Sequence, residues 1–368
     1  MRVRAPGRVN LIGEHTDYNG GLVMPCGIPY DTRVEVTPRN DSIVNAGSES
    51  YGTAHFDLNR LPSERRGDWS DYVRGMLIEL RDASVPLRGA NLAIAGNVPI
   101  GVGLSSSASL EIAAALALLA AAEVSMEVAD LAVVAQRAEN LHAGTHCGIM
   151  DQFAILAAKE GCALLLDTKT LAYETLELPA NVTIVICDTM VRRGLASSAY
   201  NERRRECEEA VRLLKKLYST IEDLCDVLPA DLDAARTMLT PRLFRRARHV
   251  VSENQRVQAA AEALRRGYAV RFGQLMNASH ESLCTDYEVS CMELDMLANL
   301  ARAFPGVYGA RMTGGGFGGC TVNLVETRQA PAFRAYIAEA YETASGVRPR
   351  LYDGTPSRGA EILRERVA

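Results

Sequence analysis

The sequence predicts an α+β protein of two packed domains with a ligand site in the cleft between them. Three observations carry that expectation. Short strand-like apolar runs alternate with stretches of helical spacing along the chain. The texture changes after Asp151, where a mixed first half gives way to a block of helices that begins and ends with strands. Loops rich in Gly or Ser stand at element junctions in both halves, where a backbone can approach a ligand closely.

In chain order, strand-like runs fall at Val3, Val9 to Ile12, Leu22 to Met24 and Arg33 to Thr37. Residues 41 to 67 read as polar and irregular, with one strand near Thr53 to Leu58. Apolar positions at helical spacing predict a helix over Trp69 to Asp82. A strand at Asn91 to Ile94 leads into a long Ala-rich helix from Ser107 to about Ala122, then a second from Met126 to about His142. Strands follow at Cys162 to Asp167 and Val182 to Asp188, then a charged helix over Ala199 to Leu217 and helical patterns to about Ala303. Met312 to Leu324 is Gly-rich and then strand-like; a helix near Ala330 to Ala344 and a strand near Arg348 to Tyr352 close the order. The expected domains are 1–165, joined by the C-terminal strand of about 345–368, and 166–344.

Composition bounds the classes of function. Of the 368 residues 48% are hydrophobic and 23% charged, ordinary for a globular enzyme-sized chain. A net charge of −5 provides no general basic surface for nucleic acid. The longest apolar run, Leu110 to Ala122, is too short for a spanning helix, and no apolar leader precedes Arg4, so neither membrane nor export is expected. Nine scattered Cys make no disulfide framework and fit a reducing cytoplasm.

Three loops carry chemistry. Pro99 to Ser109, PIGVGLSSSAS, stands before a helix; its glycines allow close approach, and a helix N-terminus attracts phosphate. Without Gly-Lys-Ser/Thr it is not a Walker loop. Met312 to Cys320 has five Gly in six positions, which suits either a hairpin or very close backbone approach. Gly148 to Phe153 carries Asp151 at a segment boundary, where a lone Asp is ordinarily a cap. Arg8, Glu14, His15 and Asp17 crowd into the run Gly7 to Gly21, GRVNLIGEHTDYNGG, a mixture that suits a polyhydroxylated ligand better than a turn. The i, i+4 pair His142 and His146 lacks a second ligand cluster, so it is read as no metal site. The runs Arg203 to Arg205 and Arg245 to His249 are read as solvated helical faces.

The run Gly7 to Gly21 resembles the galactokinase signature of the GHMP sugar-kinase superfamily. The loops at 99–109 and 312–320 resemble that superfamily's phosphate loop and third motif, and the likeness extends from Arg4 to about Leu363 with further matches at Trp69 to Gly75, Leu195 to Tyr200 and His280 to Cys291. The resemblance implies a two-domain GHMP kinase fold and ATP-dependent phosphorylation of the anomeric hydroxyl of galactose, feeding galactose catabolism. It implies Asp151 as catalytic base with Arg8 beside it as charge stabiliser. Glu14, His15, Asp17, Gly148 and Tyr200 would hold the sugar. Trp69, Tyr72, Gly101, Gly103, Leu104, Ser105, Ser106, Ser107, Ala108 and Arg192 would bind ATP, with Ser107 and Glu139 holding Mg²⁺. It further implies small-molecule partners, galactose and ATP, and a cytoplasmic monomer.

Alternatives are the same reaction on N-acetylgalactosamine, arabinose or a galacturonate, or a galactose- and ATP-binding sensor without catalysis. The intact Ser105 to Ser109 run and Asp151 weigh against the sensor. The chain also begins almost at its motif, where relatives are expected to carry a preceding segment. Asp68 stands where the resemblance implies that relatives can carry a basic residue before the Trp.

Overall fold

The computed structural model of the chain describes residues 1–192 and 196–363, and for 196–198 the backbone alone. The expected match at Leu195 thus lies outside the described residues. The first sheet has six strands in the spatial order Glu361–Leu363, Arg2–Asn10, Pro25–Pro38, Ala90–Gly96, Ile43–Ser48 and Gly52–Asp57. Neighbours run antiparallel except Ile43–Ser48 against Ala90–Gly96. The second sheet orders Val307–Thr313, Cys320–Glu326, Val182–Asp188 and Arg350–Asp353, all antiparallel. A small third sheet joins Leu22–Val23, Cys162–Asp167 and Tyr173–Glu177.

The helix Ser106–Ala122 has no polar stripe because nearly every side is covered, as an apolar helix at the centre of a domain must be. It packs with Ser70–Asp82 and Val128–Ala138 on the first sheet, around Val34, Leu77, Ile112 and Leu118. A second core crosses between the sheets: Val9, Leu11 and Ile12 from the signature meet Ile184, Ile186, Val322 and Leu324. That shared core seats the signature loop on the seam between the two halves. Among the described residues no helix is long and apolar enough to cross a membrane.

Several expectations need correction. Residues 43–57 form a hairpin rather than one strand, because Val44, Ala46, Ala54 and Phe56 alternate toward the first core. The strand Arg350–Asp353, expected with the first domain, pairs with Val182–Asp188 in the second sheet; only Glu361–Leu363 returns to the first. The helix expected to His142 ends at Ala138 and passes into a π-helical turn, Glu139–Ala143. The arginine runs are not simply solvated. Arg246 is buried against Glu206 and Glu288, and Arg203 donates to the carbonyls of Tyr287 and Glu288. The His142 ring lies 3.0 Å from Glu79.

Leu77 is fully buried where the helix Ser70–Asp82 meets the sheet. Leu77→Ala should cost about 2–5 kcal/mol, read as a lower urea midpoint at unchanged slope. An unmoved midpoint would remove this helix from the core.

Candidate active site

The strand Arg2–Asn10 pairs with Pro25–Pro38 through a register shift between Pro6 and Arg8, the kind of irregularity that re-aims a side chain. Arg8 enters the cleft. Its Nε donates to Asp151 Oδ1 and its Nη2 to Asp151 Oδ2, each at 2.7 Å, while Nη1 donates to the Gly103 carbonyl at 2.6 Å. This bidentate geometry fixes the carboxylate plane as a single charge contact could not. The Ser105 hydroxyl donates to Asp151 Oδ2, the oxygen that accepts from Arg8 Nη2. Asp151 lies in the first turn of the helix Met150–Ala157.

Beyond Asn10 the chain turns on Gly13 (φ 98°), whose N–H donates to Glu253 at 2.9 Å, and His15 takes φ 65°. A non-glycine residue in the left-handed region is uncommon and marks a held loop. Glu14 turns away toward the second Gly-rich loop. Its Oε1 accepts from the Gly314 N–H at 2.7 Å and the Thr313 hydroxyl at 3.2 Å, and lies 3.4 Å from Arg311. Gly103 and Gly314 meet backbone to backbone: a Cβ on Gly314 would come within 3.0 Å of the Gly103 Cα. The phosphate-type loop and the Gly-rich loop are therefore one assembled wall.

Ser105, at φ 57°, ends the loop and opens the helix Ser106–Ala122 toward the cleft. Ser107 donates to Glu139 Oε1 at 3.0 Å, and Gln152 donates to Glu139 Oε2 at 2.7 Å. Burial, then the nearby Asp151, pushes the Glu139 carboxyl up to about 7. Burial, then Asp151 and Glu14, does the same to Asp17. Burial, then Glu139, drives Glu111 well above the carboxylate range. An acidic cluster of this kind favours a bound cation, and the hydroxyl and carboxylate oxygens of Ser107 and Glu139 suit a hard divalent ion.

A cavity of about 540 Å³ is lined by Arg8, Glu14, His15, Asp17, Tyr72, Gly101 to Ser107, Glu139, Asp151, Arg192, Tyr200 and the Gly314 to Gly319 loop. It thus gathers most of the residues expected from the sequence. Gly148 backs Asp17 so closely that an added Cβ would collide with the carboxylate. Trp69 lies outside this cavity, on an adjoining one of about 480 Å³ shared with Tyr51, Tyr72, Ser106 and Ser107, and its indole donates to the Tyr51 carbonyl. Ala108 turns its side chain into the first core, so only its backbone belongs to the loop. Arg192 stands at the rim in a bidentate pair with Asp188.

The sequence reading missed Arg311, Gln152 and Tyr287. Arg311 sits one residue before the Gly-rich motif, and Gln152 one after Asp151; neither type at those spacings signals a ligand. Only the fold brings them to Glu14 and Glu139.

Because Asp17 is harder to ionise in the folded chain than in the unfolded one, its charge destabilises the ligand-free fold as pH rises from about 4 through about 7. Asp17→Asn should therefore gain in Tm relative to wild type between about pH 5 and 8, without ligand. Taking the difference cancels the contribution of the buried histidines, and a pH-independent difference would refute the raised carboxyl.

Residues 1–38 match the family model described as the galactokinase galactose-binding signature. Residues 71–159 and 260–343 match the N-terminal and C-terminal GHMP kinase domains. A galactokinase of Chloroflexus aurantiacus is 48% identical over 93% of this chain and 88% of its own length. One of Homo sapiens is 45% identical over 99% of this chain and 92% of its own. The solved Lactococcus lactis galactokinase complexed with galactose superposes with a TM-score of 0.95 at 39% identity, covering 98% of this chain and 95% of that one. A mevalonate kinase at 19% identity shares the fold, with a TM-score of 0.67. With relatives this similar along nearly its whole length, the chain belongs to the galactokinase family of GHMP kinases.

Proposed function

We propose that the chain transfers the γ-phosphoryl group of ATP to the anomeric hydroxyl of α-D-galactose, yielding galactose 1-phosphate and ADP. The observation that carries this reading is the bidentate Arg8–Asp151 pair, set between the phosphate-type loop and the signature loop. The working unit is a first domain of 1–165 with the returning strand Glu361–Leu363, and a second domain closing the cleft. Free cysteines throughout suit the cytoplasm.

Asp151 accepts the proton of the anomeric hydroxyl as its oxygen attacks phosphorus. Arg8, anchored on Asp151 and on the Gly103 carbonyl, remains beside the group in flight and stabilises its redistributed charge. The amides of Gly101 to Ser106, at the start of a buried helix, cradle the phosphates. Ser107 and Glu139 would hold Mg²⁺, which supplies charge neutralisation on the phosphate oxygens. Trp69 and Tyr72 border the adjoining cavity, which suits the nucleotide base, and Arg192 at the rim can swing from Asp188 to phosphate.

Sugar choice rests on Glu14, His15, Asp17, Tyr200 and the Gly148 backbone. Asp17 left without its hydroxyl would cost about 1–3 kcal/mol, enough to reject an epimer.

The testing experiment measures ADP release with Mg²⁺ and ATP on galactose, N-acetylgalactosamine, arabinose and glucose. Galactose should be preferred, and Asp151→Asn should lower kcat by about 10²–10⁴-fold. Galactose binding without turnover would sink the reading. Because the sugar does not titrate near neutrality and Asp17 does so near 7, the Kd for galactose should rise by up to about tenfold per pH unit below that point. Isothermal calorimetry without nucleotide measures it; a flat profile would exclude Asp17 as an acceptor.

A further inference from the structure

The loop that presents His15 and Asp17 is held from behind by the helix Pro241–Arg265, in the second half of the molecule. Glu253 Oε1 accepts from the Gly13 N–H at 2.9 Å, and His249 Nε2 lies 3.1 Å from the Glu14 carbonyl. A carbonyl has no proton to give, so the imidazole is the donor there. One residue beyond Glu253, Asn254 Oδ1 accepts from the Leu22 N–H at 2.8 Å. Val257 stands against Gly13, where an added Cβ would come within 3.0 Å of it. His249, Glu253 and Val257 follow one another at i, i+4 and i+8, so they share one helix face.

The two polar members of that face are themselves fixed. The Glu253 carboxylate also accepts from the Ser279 hydroxyl and from Arg256 Nε, each at 2.6 Å. His249 Nδ1 lies 2.9 Å from the Ser282 hydroxyl. Tyr287 packs against both the His249 and the His15 rings, with centroids 4.5 and 4.7 Å away. His249 and Glu253 are fully buried, and the cleft is lined without them.

We infer that His249 and Glu253 are positioning residues of the sugar site, bracketing Gly13 and Glu14 so that His15 and Asp17 enter the cleft in one fixed conformation. The inference rests on the sugar site proposed above. Its physical basis is the backbone. Gly13 and His15 both lie at positive φ, and for His15, which carries a Cβ, that conformation persists only where the surroundings hold it. Glu14, between them, is gripped at both ends. Gly314 and Thr313 donate to its carboxylate, and His249 donates to its carbonyl. The grips come from different elements, so the Glu14–His15 peptide cannot rotate without breaking one. With the His249 grip lost, His15 and Asp17 would drift, while the Glu14 carboxylate would keep its tie to the Gly-rich loop. The loss should therefore be confined to the sugar.

His249→Phe keeps a ring against Tyr287 and removes the donor; His249→Gln restores an N–H at similar reach. Calorimetry reads the Kd for galactose on the protein alone and, separately, the Kd for Mg-ADP. The Phe variant should bind galactose about tenfold more weakly with Mg-ADP unmoved, and the Gln variant should recover to within about threefold of wild type. Unchanged galactose binding in the Phe variant, an equal loss for both ligands, or no recovery in the Gln variant would overturn the inference. His249→Leu reports the same quantities should the Phe variant fail to fold. Amide hydrogen exchange gives a reading without any ligand. The Gly13 amide should be protected in the wild type and should exchange about tenfold faster in the variant without the donor, with residues 99–109 unchanged. An unprotected Gly13 amide, or equal rates in the two proteins, would overturn the inference. A wild type that binds no galactose would fail the proposed function, and the exchange rates would still report on the grip.

Discussion

Glu14 sends a carboxylate, only 3% exposed, to the place where loops from opposite halves of the chain meet. A charge so placed is costly unless it is paired and hydrogen-bonded. Here the Gly314 N–H, the Thr313 hydroxyl and the Arg311 guanidinium converge on it, while Arg311 also donates to the Asn10 carbonyl. The signature loop and the Gly-rich loop are thus bound at one oxygen. Once that contact is made, Gly314 touches Gly103, the phosphate-type loop is placed, and Arg8 reaches both the Gly103 carbonyl and Asp151. Of the two carboxylates in the signature motif, Glu14 ties the cleft together, and both line it.

The cleft is prepared for ligands that bring positive charge and hydroxyl groups. Asp17, Glu139 and Glu111 all resist ionisation because they are desolvated and close to other carboxylates, Asp151 among them in each case. Arg8 is committed to Asp151, Arg192 to Asp188 and Arg311 to Glu14. A cation or a hydrogen-bonding hydroxyl placed among these groups would relieve the unfavourable charge. His15 and Ser105, both in the left-handed region, both line this cleft.

Much of the architecture was legible because its residues obey a local period. Val182–Asp188 and Cys162–Asp167 have the bounds their apolar runs imply, and Ser106–Ala122 follows from its alanine-rich stretch. The hairpin at 43–57 was missed because Asn45, Gly47 and Ser48 make one strand look like a turn. The return of the C-terminus was misassigned because Arg350–Asp353 and Glu361–Leu363 are short, and nothing local says which sheet each joins.

Family, loop chemistry and the cast of the cleft are all legible in the residue order, because Arg8, Asp151, the signature acids and the Ser run lie within short motifs. How these residues divide the work emerges from the packed fold alone. Glu14 binds Gly314 some three hundred positions away, Gln152 reaches Glu139, and Tyr287 closes on His15 through Tyr18. Such pairings depend on distance in space rather than along the chain. Their physical reason is burial, which leaves each polar group to find a partner wherever the packed halves provide one.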